Sequence, residues 1–302
     1  MNKYDAIIIG GSCAGLTAGI YTGRRLLKTL IISKDIGGQA AMTFEIENYP
    51  GVDKTTGPEL MKKMQAQAER FGAEIKIGEA TAVEKNKGGF IVKSSVGDFE
   101  STAVILAFGL GHKTLSVPGE KELTGRGVAY CATCDAPFFK NKTTGVVGGA
   151  NSAFETAEYL SSICKKVYIF NRSGELKAEK ALVDRVSKAE NVEIILNANI
   201  EKINGAKKVE SVDIDIKGEK KNIALDGLFI DIGWSPNTEF VKDLVKTDES
   251  GFIVIDNENK TSVQGIFAAG DVTTVPFKQT VIAAGEGAKA GISAGKWIKK
   301  KE

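Results

Sequence analysis

IIIGGSCAGLTAGIY at 7–21 and GVVGGANSAFETAEY at 145–159 align residue for residue, and reading them together decides the fold. Gly10 matches Gly148, Gly11 matches Gly149, Ser12 matches Ala150 and Tyr21 matches Tyr159. Each copy follows or contains a β-branched run and leads into apolar residues at helical spacing, such as Ala153, Ala157 and Leu160. A further apolar run follows each copy, TLIIS at 29–33 and KVYIF at 166–170. The chain thus carries a strand, tight turn, helix, strand unit twice. Such a unit suits a dinucleotide: glycine permits the turn, a small residue lets backbone approach a pyrophosphate, and the helix N-terminus offers free N–H groups with partial positive charge. Both copies depart from G-x-G-x-x-G, reading Gly10, Ser12, Gly15 and Gly148, Ala150, Ala153. One copy alone is weak evidence, whereas two in matching context argue against ordinary glycine-rich turns.

The linking segments follow the same logic. PELMKKMQAQAERFG at 58–72 reads as a helix with Pro58 near its start and Gly72 at its end. Residues 73–106 alternate like a meander with Gly88 and Gly89 as a turn, and 209–233 repeat the pattern. With 302 residues and 42% hydrophobic content the chain is long enough for two domains. Forty basic against 38 acidic residues give +2, so no global charge favours nucleic acid or an anionic membrane as partner. MNKYDAIIIGG lacks the pattern of a signal peptide, and no stretch approaches the roughly 20 apolar residues that span a bilayer. A cytoplasmic enzyme is the expectation.

YCATCD at 130–135 admits three readings: half a metal site, a structural staple, or a disulfide that opens and closes. A zinc site needs about four ligands. The remaining cysteines, Cys13 inside the first turn and Cys164 in SSICKKV, and the single histidine, His112, form no second pair at metal-ligand spacing. His112 reads as a surface or loop residue and Cys164 as a small packed one. A reducing cytosol weakens the staple. A redox role needs a stabilised thiolate, which a short C-x-x-C loop or a following helix N-terminus can supply. Asp135 is a candidate general acid where burial raises its pKa, and equally a candidate helix N-cap.

The first glycine turn, GGQ at 37–39, ENYPG at 47–51, VPGE at 117–120, YCATCD, GGANSA at 148–153, GWSPNT at 233–238 and AAGDVTTVPFKQ at 268–279 occur in one order over nearly the whole chain. That combination resembles the low-molecular-weight thioredoxin reductases, and is similar to the reductase portion of alkyl hydroperoxide reductase flavoproteins. The resemblance implies an α/β fold of two Rossmann-like three-layer dinucleotide-binding domains. The FAD domain would be discontinuous, 1–115 plus 245–302, around an NAD(P)H domain with the redox CxxC at 116–244. Gly10, Ser12, Ala14 and Gly15 would face the FAD pyrophosphate, and Ser33 and Lys34 would lie near its ribose. Gln39 and Asn48 would stand near the flavin, Gly270 and Asp271 would meet the ribityl chain, and Lys278, Gln279 and Thr280 would begin a flavin-adjacent helix. Gly149, Ala150, Asn151, Ser152 and Glu155 would hold the nicotinamide nucleotide, with Asn171, Arg172 and Lys177 around its ribose. Cys134 would face the flavin and Cys131 would attack the protein disulfide. Rotation of the inner domain would use hinges near 115–120 and 240–248.

The donor is the least determined part. NADPH-using relatives carry His-Arg-Arg after the corresponding strand and an arginine four residues on, whereas this chain has Asn171, Arg172, Ser173 and Lys177. NADPH is placed slightly ahead of NADH, with ferredoxin or a deazaflavin as alternatives. Phe108 replaces the threonine of the family's Ala-Thr-Gly turn. The expected partner is thioredoxin or a glutaredoxin-like protein, and the expected assembly a homodimer. A peroxiredoxin-linked reductase and a flavin-binding redox sensor without turnover are the rival readings.

Overall fold

Strand Asn2–Ile9 is buried on both faces along its second half, as a central parallel strand must be. The computed structural model describes residues 2–43 and 45–301, with Thr133 and Cys134 described by backbone alone. Asn2–Ile9 pairs in parallel with Thr29–Ser33 on one side and Phe99–Leu106 on the other. Glu74–Ile77 extends the sheet beyond Thr29–Ser33, and Ile266–Ala268 joins Phe99–Leu106, both in parallel. Ala80–Asn86 and Gly89–Ser94 form an antiparallel extension. The stretch 73–106 is therefore only partly the expected meander. Glu74–Ile77 follows the helix Gly57–Arg70 back to the parallel sheet, because a strand–helix–strand crossover delivers its second strand there. That helix begins and ends where Pro58 and Gly72 place it, with Thr56 and Glu59 forming a capping box.

The chain divides into two units, 1–111 with 235–302, and 112–234. In the first, helices Cys13–Gly23 and Thr280–Lys299 pack closely through small residues. A side chain at Gly287 would run into the Ala14 carbonyl, and one at Gly291 would press on Ala18 and Tyr21. In the second, four parallel pairings order the strands Val192–Leu196, Lys166–Asn171, Thr143–Val147, Gly227–Ile230 and Val128–Ala129. Ala198–Asn204, Ser211–Ile216 and Glu219–Ala224 form a separate antiparallel sheet. As at 73–106, the last part of the alternating stretch, Gly227–Ile230, returns to the parallel sheet. Each unit thus holds a parallel sheet, turn helices and an antiparallel element, the two-fold α/β architecture that the repeat implies.

The crossings fall at 111/112 and 234/235, where the sequence reading has 115/116 and 244/245. Packing explains the offset. Leu115 and Val117 rest against the buried core of the second unit. Phe240, Val241, Leu244 and Val245 belong to the core of the first.

Candidate active site

In the first unit, three parallel strands end side by side at Ile9, Leu106 and Ala268, and the segments leaving them meet at the first glycine turn. Gly10 has φ +115, and a side chain there would strike the Ala107 backbone. A side chain at Gly15 would collide with the Gly10 carbonyl oxygen, so glycine lets the helix start directly above the turn. Gly11 N–H donates to Ser33 Oγ at 2.8 Å, which ties the turn to the end of the second strand. Ser12 precedes the helix without capping it; its hydroxyl donates instead to the Gly37 carbonyl at 2.6 Å. No side chain of the N-cap therefore occupies the first-turn N–H groups of Cys13–Gly23, an arrangement that fits a phosphate. Burial pushes the Cys13 thiol up to about 11, and its sulfur lies 3.9 Å from that of Met61, so it is a packed thiol and no redox partner.

The remaining positions expected near the flavin are held by hydrogen bonds within the same unit. Asn48 Nδ2 donates to Gln279 Oε1 at 3.2 Å, and Gln39 Nε2 to the Leu110 carbonyl at 3.3 Å. Gly270 has φ +77 and packs against Ala14, which delivers Asp271 beside the turn. Burial raises the Asp271 carboxyl, an effect that Lys278 opposes. Lys278 donates to the Thr273 carbonyl at 2.7 Å and lies over the Phe252 ring, and Thr280 opens the helix Thr280–Lys299. Lys34 points elsewhere, into an exposed ion pair with Glu79 at 2.7 Å. Phe108 packs against Phe240, 5.0 Å between ring centres, which seats the larger side chain in the apolar core.

In the second unit, the parallel register puts the C-terminal ends of five strands on one edge. Val128–Ala129 leads there to Tyr130 and Cys131, Thr143–Val147 to Gly148, and Lys166–Asn171 to Asn171. Cys131 is disulfide-bonded, while Cys13 and Cys164 are free thiols. Cys134 lies on the helix Ala132–Asp135, and its side chain is outside the described residues. Asp135 makes no side-chain capping bond to the turn Ala136–Phe139 that it precedes, and burial raises its carboxyl. Among the described residues no cluster of His, Cys, Asp or Glu has a metal-site arrangement.

The family described as pyridine nucleotide-disulphide oxidoreductase matches residues 4–287. The chain belongs to that family. It is 44% identical over 299 residues to the thioredoxin reductase of Listeria innocua, covering 98% of this chain and 94% of that one. Among solved structures, the Lactococcus lactis thioredoxin reductase superposes with a TM-score of 0.83 at 40% identity, covering 98% and 99% of the two chains. The thioredoxin reductase of T. acidophilum gives 0.79 at 37% identity, with the same coverage.

The second glycine turn, where the sequence leads one to expect the nicotinamide nucleotide, repeats the geometry of the first. Gly148 has φ +151, and Ala150 precedes the helix Asn151–Ser161 without capping it. The Gly149 carbonyl accepts from Lys177 N–H at 2.7 Å and Ala178 N–H at 3.0 Å, which draws the 172–178 loop over the turn. Asn151 and Glu179 exchange hydrogen bonds across the same gap. Ser152, Glu155, Arg172 and Lys177 are exposed around it. Asn171, the residue expected beside the ribose, turns inward. It is 6% exposed, and its Nδ2 donates to the carbonyls of Ser173 and Glu175, both at 2.9 Å, so it shapes the loop from within.

His112, read from the sequence as a surface or loop residue, is partly exposed and stands among aromatic rings. Its ring lies 3.8 Å from that of Trp234 and 5.2 Å from that of Tyr130. Burial lowers its pKa, an effect that Asp231 opposes. Sequence reasoning also passed over Glu120 and Tyr130. A buried carboxylate leaves no periodic signal, and only the aromatic residue directly before the cysteine pair hints at it.

Proposed function

We propose that this chain is a thioredoxin-disulfide reductase that takes electrons from NAD(P)H through FAD to a Cys131–Cys134 disulfide and on to the disulfide of thioredoxin or a glutaredoxin-like protein. The observation that carries the reading is the placement of the disulfide-bonded Cys131 and a nucleotide-type glycine turn on one edge of one sheet. The first unit supports FAD, with an uncapped helix N-terminus at Ser12 for the pyrophosphate and the half-buried Asp271 for a hydroxylated chain. Bound there, the flavin supplies two-electron transfer between a nicotinamide and a disulfide.

The chain's own residues account for the exchange step. Cys131 thiolate attacks one sulfur of the partner disulfide, forming a mixed disulfide and releasing the partner's first thiolate. Cys134 thiolate then attacks Cys131 sulfur, which reforms the internal disulfide and releases the second. Asp135, protonated more readily than an ordinary carboxyl, gives its proton to a departing thiolate. Arg172 and Lys177 supply positive charge for a 2′-phosphate, and no acid follows Asn171 directly, which supports NADPH slightly over NADH. We further infer a cytoplasmic homodimer.

Anaerobic titration of the flavin-loaded protein with NADPH, NADH, reduced ferredoxin and a reduced deazaflavin tests the donor. Bleaching by a nicotinamide at stoichiometric amounts is expected; bleaching by ferredoxin or deazaflavin alone would overturn the assignment. Oxidation of many donor equivalents per flavin in the presence of thioredoxin distinguishes the enzyme from a redox sensor.

A further inference from the structure

Glu120 is 4% exposed, and among the described residues no lysine or arginine pairs with it. Three donors meet its charge: Leu115 N–H at 2.9 Å and Tyr130 O–H at 2.7 Å on Oε1, and Ser116 N–H at 2.7 Å on Oε2. A buried carboxylate is tolerated only when it is hydrogen-bonded in this way. Ser116 sits at φ +58, a left-handed conformation costly for serine, with its N–H given to this carboxylate. The same Tyr130 stacks on His112, and His112 lies tilted against Trp234. Lys113 N–H donates to the Gly233 carbonyl at 2.9 Å. The residue directly before Cys131 is therefore fastened to both terminal segments of its unit, 112–116 and 233–234.

We propose that Glu120 and Tyr130 are positioning residues for the Cys131 disulfide, anchoring the backbone from which Cys131 projects so that the dithiol is held ready to close. The proposal rests on the reading of Cys131 as redox-active. An open C-x-x-C dithiol samples more conformations than the closed ring, and closure removes that freedom. Anchoring one end removes part of it beforehand, which favours the disulfide over the dithiol. Releasing the anchor makes the disulfide easier to reduce.

Tyr130→Phe tests this, because it keeps the ring and loses only the hydroxyl donated to a buried charge. Flavin-loaded protein is equilibrated in glutathione buffers of graded ratio, the free thiols are alkylated, and the 131–134 segment is scored by mass. The expected result is a fall of up to about ten-fold in the equilibrium constant for disulfide formation, set by the freedom the anchor takes from the dithiol, or up to about 30 mV toward easier reduction. Glu120→Gln should move it the same way, and Tyr130→Ala further. A parent that exchanges normally, with Tyr130→Phe and Glu120→Gln at the same potential, would overturn the proposal alone, whatever their thermal midpoints. A parent disulfide inert to glutathione at every ratio would overturn the functional reading and this proposal together.

Discussion

Asp135 has a carboxyl that burial raises and no capping bond to compensate. Its ionised form therefore disfavours folding once the pH exceeds the folded value, whereas below the unfolded value near 4 both states are protonated and that penalty vanishes. Asp135→Asn is accordingly expected to melt no lower than the parent at pH 7, with any difference closing toward pH 4; thermal melts across that range check it. The same variant should lose about 100-fold in thioredoxin turnover, the usual contribution of a positioned acid. Cys134→Ser should abolish thioredoxin reduction while bound flavin still bleaches with a nicotinamide, which anaerobic titration reads directly. At this scale the disulfide at Cys131 was legible, because two cysteines three positions apart are a local signal. The stacked His112 and the inward-turned Asn171 were not, since which way a side chain turns depends on residues far along the chain.

The turn helices show how elements carry function. Gly287 faces the Ala14 backbone with no room for a methyl group, so Gly287→Ala is expected to destabilise the protein by about 1–3 kcal/mol and to weaken flavin retention; Tm and the flavin-to-protein absorbance ratio measure both. Asn171→Ala removes donors to the Ser173 and Glu175 carbonyls and should loosen the 172–178 loop, raising KM for the nucleotide several-fold with kcat little changed. Steady-state kinetics with saturating thioredoxin resolve that split. Helix Gly57–Arg70 was readable from Pro58 and Gly72, because end signals are short-range. The alternating stretches misled at their ends, where Glu74–Ile77 and Gly227–Ile230 join parallel sheets. Alternation identifies a strand but leaves its pairing partner open.

Each unit has its own buried cores, centred on Ile8 and Ile105 or on Val104 and Ile266 in the first, and on Phe154 and Ile169 or on Phe170 and Leu228 in the second. The repeated glycine turn made this two-part plan legible, whereas the crossings were displaced because only packing shows which core Leu115 or Val241 serves. A polypeptide of residues 112–234 is expected to fold alone and keep Cys131 in its disulfide; circular dichroism and thiol counting under non-reducing conditions check it. Its two ends lie side by side, joined by the Lys113–Gly233 hydrogen bond. A guest sequence whose ends coincide can enter or leave a host loop with little loop-closure penalty. The 112–234 unit is therefore a nested one, whose exchange at two points would leave the host's parallel sheet and first glycine turn whole.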